Sequence, residues 1–180
     1  MPRLSPLPLF ILPLALSLAA CTQEEEPANT DDPDAVIAQA VDFESNFERL
    51  DANGVVTEHD EEGVNVARFW ANSIGAEVFR TLDPDNPDPD LVMPEGAIFL
   101  KESYDAEGNP LPNMQVMAKF SEGYHDLGRD WFFAMITREG EVVEGRIGNG
   151  PEVTGCVDCH DGAVGQTDLI IGLPAEELAP

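Results

Sequence analysis

Cys156-Val157-Asp158-Cys159-His160, close to the C-terminus, limits this chain more than any other feature. Two thiols three positions apart, followed at once by an imidazole, read as a covalent attachment site for one haem c. Each thiol adds to a porphyrin vinyl group, and His160 reaches the iron as its proximal ligand. Two other uses of the pair compete with this one. A thioredoxin-like redox pair needs a βαβ setting, whereas Gly148-Asn149-Gly150-Pro151 ahead of Cys156 reads as loop. A structural zinc needs two further ligands, and His59 and His125 lie far away without paired spacing.

The N-terminus has the marks of export. Arg3 gives a sparse basic start, Leu9 to Leu18 is mostly apolar, and Leu18-Ala19-Ala20-Cys21 closes the run. The stretch is short for a membrane span, and small residues before a cysteine make a cleavage site. Residues 1–20 therefore read as a lipoprotein signal peptide and Cys21 as the lipidated residue; an ordinary secretory signal is the alternative. Either reading exports the chain, and the lipid reading anchors it on the periplasmic side of a bacterial membrane, with Thr22 compatible with the outer membrane. With Cys21 lipidated and Cys156 and Cys159 on haem, no thiol remains for a disulfide. Residues 21–34, rich in Glu, Asp, Pro, Thr and Asn, read as a solvated tether, and residues 35–180 as one domain.

Charge excludes some partners. Against 9 basic residues stand 35 acidic ones, a formal net charge of −26. Such a surface repels nucleic acid and anionic lipid headgroups. It is compatible with steering a basic electron carrier, with solubility, or with a saline habitat.

Hydrophobic periodicity predicts helices first and strands later. Asp32 or Asp34 caps a helix with Pro33 in its first turn, and Val36, Ala40, Phe43, Phe47 and Leu50 mark one face. A second helix follows Asn72-Ser73, carrying Ile74, Val78 and Phe79, and stops at the Pro-rich run Asp83 to Asp90. Strands are predicted over Ala97 to Tyr104, Met114 to Phe120, Trp131 to Arg138 and Glu141 to Gly145, with a turn over Asp105 to Pro112. The fold class is α+β: a mainly antiparallel sheet with a few helices packed to one side and the attachment motif at the C-terminal end.

That is an unusual setting for haem c. A small electron-transfer cytochrome is helical, with its motif early and a methionine ligand downstream, but Asp161 to Pro180 contains no Met, His or Lys. A sixth ligand would have to come from upstream. Met114, Met117 and Met135 fit by type but read as core filler, and His125 reads as a surface turn residue. An open sixth position is the preferred reading.

Several segments together resemble the cytochrome P-460 family in order and spacing. They are Arg68-Phe69-Trp70-Ala71-Asn72, Pro94 to Glu102 with Tyr104, Asp130-Trp131-Phe132-Phe133, Cys156 to His160, and Thr167-Asp168. The resemblance spans about residues 64–172. It implies a mainly antiparallel β fold, a homodimer and a five-coordinate c-type haem. It also implies oxidation of hydroxylamine with a redox partner cytochrome, or nitric oxide binding as in the related cytochromes c′-β. Lys101 matches the lysine that family members join covalently to the porphyrin; its periodicity alone would make it a snorkelling surface lysine. Aligning Lys119 with the family's next-strand lysine sets Gln115 where hydroxylamine-oxidising members carry a distal glutamate. Glutamine can hydrogen-bond a ligand but cannot act as a base, so Glu122 or Asp126 would have to supply a carboxylate. Trp131, Phe133 and Met135 share one strand face, Phe132 and Ile136 the other, and either set can wall the haem pocket, with Phe133 the candidate haem contact. Arg68 belongs either near the haem or its propionates or in a structural salt bridge. Three functions follow: a P-460-type oxidoreductase for hydroxylamine or nitric oxide, a nitric oxide binding or sensing protein, and an electron-transfer cytochrome.

Overall fold

The computed structural model describes residues 31–58 and 64–180. The expected signal peptide, the lipidation site Cys21, most of the tether and His59 lie outside the described residues.

Helix α1 (Pro33–Val41) starts where the sequence signals say. The Asp32 carboxylate accepts from the backbone N–H of Asp34 at 3.0 Å and of Ala35 at 3.2 Å, and Pro33 occupies the first turn. Asp31 accepts from the Ser121 N–H at 2.7 Å and from its hydroxyl, which ties the helix start to a distant loop. The fold thus includes residues 31–34, ahead of the expected boundary at 35. The helix does not run on to Leu50. It breaks at Asp42, resumes for one turn as α2 (Phe43–Asn46), and passes through extended Phe47 into β1 (Glu48–Arg49).

Further along come β2 (Val55–Glu58), β3 (Val64–Ala71), α3 (Ser73–Phe79), β4 (Ile98–Tyr104), β5 (Pro110–Lys119), β6 (Trp131–Thr137) and β7 (Val142–Gly148). The four predicted strands correspond to β4 to β7, and β3 joins them. Strands β3 to β7 form an antiparallel meander, and β1 and β2 pair in tandem along the outer edge of β3. After β7 follow a 3-10 turn (Pro151–Val153), α4 (Thr154–Asp161), and the small antiparallel pair β8 (Gln166–Thr167) and β9 (Ile170–Ile171).

Alternation along the strands gives the sheet two buried faces. Ile98, Leu100, Val116, Ala118, Phe132, Ala134 and Ile136 point to one, where Val36 and Ala40 of α1 and Phe43 and Phe47 cover them. Phe99, Met117, Trp131 and Phe133 point to the other, where they meet Ala76 and Phe79 of α3 and the C-terminal Leu169, Ile170 and Leu173. The helices therefore divide between both faces, a correction to the one-sided packing expected. The physical reason is visible in β4 to β6: both sets of alternate residues are apolar, so each needs its own cover. Burying a side chain such as Phe132 or Trp131 completely contributes about 2–3 kcal/mol.

Asn72 joins the two halves of the sheet's centre. Its side-chain oxygen accepts from the Gly75 N–H (3.0 Å), capping α3, and from the Ile98 N–H (3.1 Å), while its amide donates to the Gly96 carbonyl at 2.7 Å. Helix α3 then lies so close to β4 that a Cβ at Gly75 would stand 2.9 Å from the Phe99 ring.

Candidate functional site

Helix α4 carries the motif. At 100° per residue, Cys156, Cys159 and His160 fall within an arc of about 100°, so one helix side presents both thiols and the imidazole. None of its residues is fully buried, but Cys156 and Val157 pack on the cluster built around Phe99, Met117 and Phe133. The His160 ring meets Phe133 edge-on, with centroids 6.1 Å apart. The motif thus sits over the face that carries Trp131, Phe133 and Met135, not the face of Phe132 and Ile136.

His160 is held by one of its two nitrogens. Nδ1 lies 2.7 Å from the Leu169 carbonyl oxygen, which can only accept, so Nδ1 carries the proton and donates. In the neutral imidazole the lone pair is then on Nε2, the nitrogen a proximal metal ligand uses. The carbonyl is presented by a left-handed pair, Asp168 (φ 48°) and Leu169 (φ 67°). Gln166 Oε1 accepts from the Leu169 N–H at 2.8 Å. The Asp168 carbonyl accepts from Trp131 Nε1 (2.8 Å), and its carboxylate accepts from the Met93 N–H (2.8 Å) and from Lys119 Nζ (2.8 Å). Sequence reasoning used Lys119 and Thr167-Asp168 only as markers of the resemblance and missed their part in holding this turn.

The sheet beneath supplies the remaining candidates. Register sets Phe69, Lys101, Gln115 and Met135 directly across from one another on β3, β4, β5 and β6, and alternation turns this row to the face that α4 covers. The next row is Ala71, Phe99, Met117 and Phe133. Lys101 is half-buried, flanked in its row by an aromatic ring and an amide. Gln115 Oε1 is buried and has no hydrogen-bond partner, an orphaned acceptor in the middle of the row. Glu122 and Asp126 are exposed in the β5–β6 loop and supply no buried carboxylate to it. Met117 and Met135 face the motif side, whereas Met114 faces the other core.

Two expectations are corrected. Arg68 is not beside the motif: it pairs in register with Glu102 on the opposite face. There its guanidinium donates to the Tyr104 hydroxyl (2.8 Å), covers the Tyr104 ring at 4.2 Å and stands 4.0 Å from Glu102, which Arg138 and Trp70 also bind. The structural salt bridge is the role it has. His125 is a turn residue but a buried one, because its Nδ1 is tied to the Trp131 carbonyl at 2.9 Å and Gly128 leaves room for the ring.

The residues fit a c-type haem in three respects: neighbouring thiols on one helix face, an imidazole whose Nδ1 is engaged by a backbone carbonyl, and an unpartnered acceptor on the sheet face that the helix covers. The competing uses fit less well. A thiol for disulfide exchange has a lowered pKa, but burial pushes Cys156 up, against a smaller lowering by Arg146. All pairings of the described sheets are antiparallel, so the thioredoxin-type βαβ unit is missing from the described residues. Among the described residues no three His, Cys, Asp or Glu side chains converge as a zinc site would require. No helix of the described residues is long and apolar enough to cross a membrane. No model of a known protein family matches the chain, and no curated protein sequence matches it.

Proposed function

We propose that the chain is an exported mono-haem c-type cytochrome of the cytochrome P-460 type, handling hydroxylamine or nitric oxide and exchanging electrons with a partner cytochrome. The observation that carries the reading is that the motif helix, Lys101 and Gln115 lie on the same sheet face. Haem c held there by Cys156, Cys159 and His160 would supply the iron chemistry for binding or oxidising a small nitrogen oxide. Cys156 and Cys159 are the bonding thiols, and His160 is the proximal ligand through Nε2. Phe133 packs on the His160 ring, Met135 and Phe69 keep the face apolar, and Lys101 is the amine for the additional porphyrin bond that the resemblance implies. Gln115 accepts a hydrogen bond from a ligand N–H or O–H and cannot take the proton.

That last property favours a second reading, nitric oxide binding without turnover. Proton removal from hydroxylamine needs a base, and the row Phe69, Lys101, Gln115 and Met135 holds no carboxylate. An electron-transfer role ranks third, since residues 161–180 contain no Met, His or Lys to ligate the iron's other side.

Mass spectrometry and the ferrous absorption spectrum of the purified chain test the proposal. Covalent haem with a Soret band far to the red, lost in Lys101→Arg, supports the P-460 type. An ordinary five-coordinate spectrum leaves nitric oxide binding, a six-coordinate low-spin spectrum favours electron transfer, and a chain without covalent haem refutes all three.

A further inference from the structure

We infer that Lys119 and Asp168 are positioning residues for His160: their buried ion pair holds the turn whose Leu169 carbonyl fixes the imidazole's tautomer and orientation. The inference deepens the reading above and takes its functional meaning from it. The pair is nearly sealed from water, with side-chain exposures of 7% and 4% and Nζ 2.8 Å from Oδ2. Bringing two charges into such a site costs desolvation that their attraction only about offsets, so stability alone does not account for it. Geometry does. Lys119 Nζ also donates to the Arg129 carbonyl at 2.7 Å, and the Arg129 guanidinium reaches Asp161, the neighbour of His160, at 2.7 Å. One loop is thereby joined to the turn ahead of Leu169 and to the end of α4.

At the turn itself, Asp168 is bound at both its side chain and its carbonyl, by Met93, Lys119 and Trp131. Its peptide cannot rotate without breaking these bonds. Two consecutive non-glycine residues with positive φ, 48° and 67°, are strained and persist only where the surroundings over-determine them. The outcome of that constraint is the direction of a single carbonyl, and His160 Nδ1 is what it meets. A ligating histidine held this way has one tautomer and a more basic Nε2.

The experiment compares the full wild-type chain with Lys119→Met/Asp168→Asn, which removes both charges together and keeps an acceptor for the Met93 N–H. A second variant, Trp131→Phe, keeps both charges and removes the hydrogen bond to the Asp168 carbonyl, together with part of a buried ring that packs on Phe99 and lies beneath Lys119. With isotope-labelled histidine, and in the diamagnetic ferrous carbonyl form where haem is attached, nuclear magnetic resonance reads the His160 tautomer and the exchange of its Nδ1 proton. The wild type is expected to show one Nδ1-protonated tautomer, the double variant exchange faster by about tenfold or more with mixed tautomers, and Trp131→Phe a smaller change of the same sign. Circular dichroism reports whether each variant is folded. Unchanged exchange and tautomer in a folded variant overturn the inference. Mass spectrometry of the same samples reports covalent haem separately. Its absence would overturn the cytochrome reading, while the ring proton would still report on the Lys119–Asp168 pair.

Discussion

Replacing Gln115 by leucine should stabilise the protein and weaken one ligand while sparing another. Gln115 Oε1 is buried without a partner, so the folded state bears the desolvation cost of an unmade hydrogen bond. That cost is about 1–3 kcal/mol for a neutral acceptor, and the lower end applies because the rest of the side chain is only half-buried. Leucine has similar volume and can pack beside Met117 and Met135 on its face, so a gain of about 1 kcal/mol is expected. With a typical urea dependence near 2 kcal/mol per molar, the unfolding midpoint rises by about 0.5 M. Hydroxylamine has protons to donate and loses its acceptor, so its affinity should fall about fivefold, equivalent to about 1 kcal/mol. Nitric oxide has none, and its affinity should stay the same. Urea unfolding and ligand titrations on the same preparation measure all three quantities. A leucine variant that is less stable, or that loses both ligands equally, would refute the idea that this oxygen waits for a donor.

Asn72→Ala removes the cap of α3 and orphans the Ile98 N–H and the Gly96 carbonyl, so unfolding should be easier by about 2–3 kcal/mol; a loss below about 0.5 kcal/mol would contradict the bonding described. Arg68→Ala should leave the haem spectrum and ligand affinities unchanged and cost at most about 1 kcal/mol, because its side chain is 39% exposed and Arg138 still binds Glu102. Both tyrosines should ionise above 10.0 in an ultraviolet titration, Tyr104 and Tyr124 each mainly through burial and then through nearby carboxylates. Above that pH the unfolded chain releases the phenolic protons first. Their contribution to stability is therefore complete below 10.0 and is lost as pH rises through the folded-state values.

Local signals in the sequence were enough for local structure. Asp32 and Asn72 cap the helices they precede, and the alternation from Ala97 to Arg138 marks three of the sheet's strands. Periodicity failed at Leu50. It continues the spacing of Val36 and Phe47, yet it follows a strand and packs in the other core, because a break at Asp42 resets the helix and spacing carries no record of the break. The turn expected up to Pro112 ends early, since Pro110 already pairs with Tyr104 beside a register shift. The face shared by Lys101, Gln115 and Phe133 follows from alternation once register is known. The grip on His160 does not: Lys119 and Asp168 are 49 positions apart, and only the folded chain joins them.

Helix α4 also has a bearing on the order of assembly. It buries none of its own residues fully and is slung between two buried anchors, Val153 and Thr167. Lifting it off separates Cys156 and Val157 from the core and breaks the bonds of His160 and Asp161 but leaves the sheet's ladders intact, so it can open at a fraction of the cost of global unfolding. Under the proposed function, the sheet and its C-terminal seam can then be complete before Cys156 and Cys159 react. The proposed haem would in that way be added to a finished fold, with the helix closing over the sheet afterwards.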